Sequence, residues 1–368
     1  MKICHITSVH SRYDPRIFQK QCRSLVKFGY DVHLVVADGT GGEIKDGIHI
    51  YDVGKPSGRI KRMIKTTKAI YKKAIELNAD IYQLHDPELL PCGLKLKKRG
   101  KKVVFDSHED VPKQIMSSKA YIPFFVRKAI SYLYGKFEKR AIKKFDAVIS
   151  VSPDIVDRLK KINPNTVMIT NYPIVEKIEP NTQNAEKTIC FTGLISPLWS
   201  HTNILESLTL LDGVKYNLAG PVDSNYLNVL QKHDSWKQVN FAGRLPQNEV
   251  FNFIRNSAIG MALCDYVEEM GYNVGTLGNT KLFEYMRAGI PMICTDFILW
   301  KQIIEEEKCG ICVNPRDVKS IAEAIEYLLS NPEKAKGMGI AGQNAVKEKY
   351  NWDTQEKILL NLYQNLYL

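Results

Sequence analysis

Short apolar runs rich in β-branched residues alternate with helical patterns along almost the whole chain of 368 residues. KICHITS leads into a helical pattern from Arg16 to Phe28. DVHLVVAD, IYQLHD, KVVFDSHE and AVISVSP follow, with helical segments between them. A strand that reaches its neighbour through a helix lies parallel to it, so this rhythm predicts a parallel sheet covered by helices. After the polar stretch EKIEPNTQNAEK a second series begins: TICFTGLIS, NILESLTLL, YNLAGP, SNYLNVLQKH, VNFAGRL, NEVFNFIRN, AIGMALC, KLFEYMRAG, PMICTD and DVKSIAEAIEYLLSN. Two doubly wound α/β domains are expected, joined near residues 174 to 187, and the length suffices for two cores. Neither first strand runs into GxGxxG, which argues against a nicotinamide or flavin enzyme. Open sheets bind ligands beyond the carboxyl ends of their strands, so two such domains are expected to face each other across a cleft.

A composition of 44% hydrophobic and 25% charged residues is that of a folded soluble protein. No run reaches eighteen consecutive apolar residues, and MKICHITSVH passes straight into a strand, so a cytoplasmic location is expected. The eight cysteines, at 4, 22, 92, 190, 264, 294, 309 and 312, fall mostly in apolar runs and read as reduced core residues. Cys309 and Cys312 have no second pair or nearby histidines, so no metal site is expected. The net charge of +11 is unevenly placed: residues 1 to 180 hold 34 Lys and Arg against 19 Asp and Glu, and the remainder 17 against 21. The first half therefore suits an anionic partner. KPSGRIKRMIKTTKAIYKK and YIPFFVRKAISYLYGKFEKRAIKKF mix bases with apolar residues at helical spacing, as helices on an anionic membrane surface do; a solvated helix face would look the same. Nucleic acid is set aside, because no aromatic RNA-binding signature, zinc-finger spacing or helix-turn-helix is present.

The richest stretch chemically is GNTKLFEYMRAGIPMI, Gly278 to Ile293. Gly278 permits a tight turn, Asn279 or Thr280 can cap the next helix, and the free N–H groups of its first turn attract anions. Lys281 adds a positive charge. Glu284 projects from nearly the same face and can accept both hydrogen bonds of a ribose diol, so the run suits a nucleoside diphosphate. An exposed Lys281–Glu284 ion pair on an ordinary amphipathic helix is the alternative.

AVISVSPDIVDRLKK closing the first domain, ITNYP leading to the linker, FTGLIS opening the second and KLFEYMRAGIPMI before the penultimate strand together resemble the GT-B glycosyltransferases of family 4, especially those that assemble bacterial surface polysaccharides such as capsule and lipopolysaccharide. The resemblance implies a Rossmann-like acceptor domain at 1–175, a nucleotide-sugar domain at 176–350, and a helix at 351–368 crossing back to the first domain. It implies retaining transfer from a UDP- or GDP-sugar to a saccharide, lipid-linked at the inner membrane face, with no cofactor and no essential metal. Gly278, Asn279, Thr280 and Lys281 match the loop near the sugar and β-phosphate, and Glu284 matches the ribose-binding glutamate. The backbone of Arg244 and Leu245 is expected to meet the base, and Gly193 opens the donor domain. His108 matches the active-site histidine. His85, Asp86 and Glu109 are expected on the acceptor side. Asp14-Pro15-Arg16 reads as a cap followed by proline at the first helical position, with Arg16 placed to hold an acceptor diphosphate.

The chain departs from the family at three places. Thr276 stands where relatives carry a second glutamate, and Leu194 and Ser200 stand near where an arginine and a lysine are expected for the pyrophosphate. Lys281, Arg244 and Arg16 are the candidates to compensate, and Trp199 is a candidate to stack on the donor. A sugar-nucleotide 2-epimerase of the same fold, or a non-catalytic member docking at the membrane, would share much of this pattern.

Overall fold

The computed structural model describes residues 1–108, 110–117, 122–175, 181 and 187–367. The chain divides into two compact units, Met1–Asn171 with Trp352–Leu368, and Tyr172–Asn351. The helix Trp352–Tyr367 thus belongs to the first unit.

The sheet of the first unit comprises β1 (Lys2–Ile6), β2 (Asp31–Val36), β3 (Glu43–Lys45), β4 (Ile48–Asp52), β5 (Ile81–Leu84), β6 (Lys102–Ser107), β7 (Ala147–Ser150) and β8 (Thr166–Met168). Their order is β3-β4-β2-β1-β5-β6-β7-β8. All neighbours are parallel except β3 and β4, an antiparallel edge that the βαβ rhythm did not predict. The inner strands are buried along nearly their whole length, as strands covered on both faces must be, which is why they read as continuous apolar runs. The order reverses between β1 and β5, so the loops after these strands border a crevice.

The second sheet is wholly parallel: β9 (Thr188–Thr192), β10 (Lys215–Ala219), β11 (Val239–Gly243), β12 (Ile259–Ala262), β13 (Met292–Thr295) and β14 (Gly310–Val313), ordered β11-β10-β9-β12-β13-β14. Its switch point lies between β9 and β12. Gly220, at φ +146, lets the loop after β10 pass against the loop after β9; a Cβ there would stand 1.7 Å from the Gly193 carbonyl oxygen. Cys312 meets Cys294 across the β13/β14 register, sulfur to sulfur at 3.6 Å, rather than its sequence neighbour Cys309.

Helix starts follow local chemistry. Asp223 and Asp317 each accept hydrogen bonds from two backbone N–H groups of the turn that follows. The pattern from Arg16 to Phe28 folds as a wider π turn, Ile17–Cys22, before an α-helix, Arg23–Lys27.

Candidate functional site

On the second unit, the helix Lys281–Ala288 starts beyond the carboxyl ends of β9 and β12. Its entry is built from short side chains: Asn279 Oδ1 accepts from the Lys281 N–H at 3.0 Å, and Thr276 Oγ1 accepts from the Gly278 N–H at 3.1 Å. Asn279, not Thr280, supplies the side-chain cap. Leu282, Phe283, Tyr285 and Met286 are buried, and Gly289 at φ +72 ends the helix.

Lys281 does not pair with Glu284. Its Nζ donates to the Thr192 carbonyl at 2.9 Å and lies 4.4 Å from the Phe191 ring centre and 4.5 Å from that of Trp199. Burial lowers its pKa from 10.5 to about 8, so at neutral pH the amine is still largely charged. Gly193 clears the way, because a Cβ there would stand 2.4 Å from Nζ. Glu284, one-third exposed, faces Arg287 at 3.6 Å. Arg244 is exposed and Leu245 half-buried in the loop after β11. Trp199 is buried beneath the Lys281 amine, which corrects the expectation that it is free to stack on a donor.

On the first unit, a cavity of about 810 Å³ lies beyond the ends of β5 and β6. His10, His85, Asp86 and His108 line its polar side, and Met63, Ile115, Ile130 and Phe137 its apolar side. Beneath it runs a buried polar network centred on Asp106. Arg16 grips Asp106 through Nε and Nη2 at 2.9 and 2.8 Å and gives Nη1 to the Ile169 carbonyl at 2.9 Å; Gln21 donates to Asp106 at 2.8 Å. Burial works against the Asp106 charge, but Arg16 and the adjoining histidines hold its carboxyl well below the usual range. Arg16 is therefore a structural counter-ion, a correction to its expected role on an acceptor diphosphate: opening it would strand a buried carboxylate.

His85 meets His5 at 2.9 Å and faces Asp106 at 3.4 Å, with burial lowering its pKa despite that carboxylate. Tyr363, from the C-terminal helix, donates to Gln83, whose amide donates to Gln21 and stands 3.5 Å from Asp106. Asp86 Oδ2 accepts from Thr7 Oγ1, Ser8 N and Ser8 Oγ at 2.9, 2.6 and 3.2 Å. His108 borders the cavity at the end of β6, with Nδ1 3.6 Å from Asp106 and Nε2 3.3 Å from His10. Asp14 caps the turn through the N–H groups of Arg16 and Ile17, at 2.8 and 2.9 Å. Burial opposes its charge, but His10 and these N–H groups hold its carboxyl down at about 2. Glu109 lies outside the described residues.

The reading of the sequence missed His10 and the Arg62–Glu88 pair, a two-pronged ion pair at 2.8 and 3.1 Å on the cavity rim. The placement rule that picks out His108, a histidine just past a strand's carboxyl end, applies equally to His10 after β1.

Residues 3–171 match the family described as Glycosyltransferase Family 4, and residues 175–345 match Glycosyl transferases group 1. Together with the two Rossmann-like sheets, these matches place the chain among the family 4-like GT-B glycosyltransferases. Solved structures share the fold across nearly their full lengths at low identity. Sucrose-phosphate synthase from Thermosynechococcus elongatus has a TM-score of 0.75 and 16% identity over 100% of this chain and 99% of that one. A glycosyltransferase from Rickettsia africae has 0.74 and 16%, over 100% and 98%. Anabaena HepE in complex with UDP and glucose has 0.72 and 13%, over 99% and 100%. In sequence, the GDP-mannose-dependent alpha-(1-6)-phosphatidylinositol monomannoside mannosyltransferase of Mycobacterium tuberculosis is 33% identical over 84 residues, a match spanning 23% of this chain and only 22% of that protein.

Proposed function

We propose that the protein transfers a sugar from a UDP- or GDP-sugar to a saccharide acceptor with retention of configuration. The observation that carries this reading is Lys281, whose amine is held at the carboxyl end of β9 beside the N-terminus of its own helix. A diphosphate seated there meets a cation and free N–H groups where negative charge grows as the glycosidic bond breaks, which is the largest demand on the catalyst. With that charge supplied by the chain, no divalent cation is required. Glu284 accepts the ribose hydroxyls, and the loop of Gly278, Asn279 and Thr280 borders the sugar. On the first unit, His108 and Asp86 line a cavity of a size that suits a saccharide. Support for the donor class comes from relatives named for GDP-mannose dependence or solved with UDP and glucose.

The acceptor is a lipid-linked saccharide of surface polysaccharide assembly, met at an anionic membrane face. Ile60, Phe125 and Leu133 are 76, 83 and 64% exposed on two helical segments that also carry Arg59, Lys61, Lys65, Lys128 and Lys136. Among the described residues no helix is long and apolar enough to cross a membrane, so this contact would be peripheral.

Incubation with a panel of UDP- and GDP-sugars, with and without lipid extract, tests the reading. Acceptor-dependent nucleotide release supports it; an isomerised donor in its place establishes an epimerase, and inactivity throughout leaves the docking member. An inverted product anomer refutes retention.

A further inference from the structure

Three polar atoms converge on the cavity of the first unit through long contacts. His10 Nε2 and His108 Nε2 share a hydrogen bond of 3.3 Å, at the long end of the range, and Asp86 Oδ1 faces His10 Nε2 at 3.4 Å as an ion-pair partner, so both are contacts that a ligand group can replace. Two of these groups are held from their opposite edges: His10 Nδ1 faces Asp14 Oδ2 at 3.3 Å, and Asp86 Oδ2 is taken by Thr7 and Ser8, whereas His108 Nδ1 stands 3.6 Å from Asp106, outside hydrogen-bond reach. Both His10 and Asp86 line the cavity, and the His10 side chain is about one-quarter exposed.

An occupant among these atoms must accept from an imidazole N–H and donate to a carboxylate oxygen. A hydroxyl does both; an anion would be repelled by Asp86, and an ammonium by a charged His10. We propose that His10 is a substrate-binding residue which, with Asp86, holds one hydroxyl of the saccharide, His10 donating through Nε2 and Asp86 accepting through Oδ1. This rests on the glycosyl-transfer reading above and adds to it the group that selects the hydroxyl.

The electrostatics supply the proton. His10 is faced by Asp14 on its own loop, by Asp86 and His85 beyond β5, and by Asp106 and His108 at the end of β6. Burial opposes its charge, but the hydrogen bond to Asp14 and the charges of Asp86 and Asp106 outweigh it and raise its pKa above the ordinary imidazole value. A charged ring donates through both nitrogens, and a charge-assisted bond is the stronger kind. Once the ring is neutral, Asp14 claims the single remaining N–H, and Nε2 turns a lone pair toward Asp86. Hydroxyl binding therefore weakens as pH rises through the His10 pKa.

The test uses the full chain. His10→Ala is expected to raise the acceptor KM at least tenfold while leaving UDP and GDP affinity within twofold, which controls for folding. His10→Gln, which keeps a neutral N–H donor, recovers part of that loss, and its acceptor kcat/KM profile, taken at saturating donor so that the free Lys281 amine does not contribute, lacks the falling basic limb of the wild type. An acceptor KM within twofold in His10→Ala, or a basic limb that persists in His10→Gln, overturns the assignment. If the wild type transfers no sugar from any donor, the glycosyl-transfer reading fails. His10 is then decided separately by NMR on the histidine-labelled wild type with methyl α-glucoside and methyl α-mannoside. A shift of the His10 ring signal by either glycoside sustains the hydroxyl site, and no shift overturns it.

Discussion

Replacing Lys281 with methionine separates a phosphate-binding lysine from a structural one, because the two roles give opposite signs in two assays. The ligand-free protein holds the ammonium in a pocket of two aromatic rings and one carbonyl, with a pKa of about 8 against an ordinary 10.5. A lysine whose pKa falls on folding is penalised for its charge. The penalty is full below about 8 and fades as pH rises toward 10.5. The shift corresponds to an upper limit of about 3 kcal/mol at neutral pH. Methionine removes that penalty and keeps most of the packing, so Lys281→Met is expected to stabilise the ligand-free protein by about 0 to 3 kcal/mol at pH 7, with less gain at pH 9.5. Donor binding moves the other way. Loss of a charge-assisted contact to the diphosphate costs about 1.5 to 3 kcal/mol, or roughly 10- to 150-fold in affinity. Calorimetric titration with UDP and GDP, run beside urea denaturation at both pH values, reads both effects. Wild-type affinity should also decline above about pH 8 as the free amine deprotonates. An affinity loss below threefold, or a stability loss above about 1 kcal/mol at pH 7, would refute the reasoning.

Other expectations follow from the same geometry. Arg16→Met leaves Asp106 buried without its guanidinium and should cost about 3 to 5 kcal/mol in urea denaturation; a loss under about 1 kcal/mol would show that the pair is dispensable. Gly193→Ala places a methyl 2.4 Å from the Lys281 amine at a backbone φ of +135 that disfavours alanine, so UDP or GDP affinity should drop at least fivefold, and unchanged affinity would detach Gly193 from the site. The double variant Phe125→Glu, Leu133→Glu should bind phosphatidylglycerol vesicles at least tenfold more weakly in co-sedimentation, with an unaltered urea midpoint; equal binding would move the membrane contact elsewhere.

What could be read along the chain was what depends on neighbours in sequence. The parallel sheets are legible because strands buried on both faces must be continuously apolar, and the Lys281 loop because turn, cap and helix lie within a dozen residues. The edge strand Glu43–Lys45 escaped notice, being three residues long and mostly polar. Arg16 and Trp199 were misjudged for one physical reason. Each has side-chain chemistry suited to a ligand, and each is occupied by a partner remote in sequence, Asp106 in the one case and Lys281 in the other. His10 was missed for the converse reason, since its significance rests on Asp86 and His108, which the fold brings together from two other strands.

The C-terminal helix has a consequence for how the molecule is made. Trp352 donates to Ser24 Oγ at 2.9 Å, Gln355 accepts from the Thr170 N–H at 2.8 Å, and Tyr363 reaches Gln83 in the network beneath the cavity. A ribosome that has released residues 1–171 has therefore not yet made the piece that closes their polar interior. Until about 180 more residues have been added and the second unit has passed through the exit tunnel, Gln83 and Ser24 wait for their partners. The earliest part of the chain to emerge is thus among the last to reach its final packing, so premature termination near residue 350 would leave a nascent chain with its first sheet formed and its polar heart exposed to misfolding.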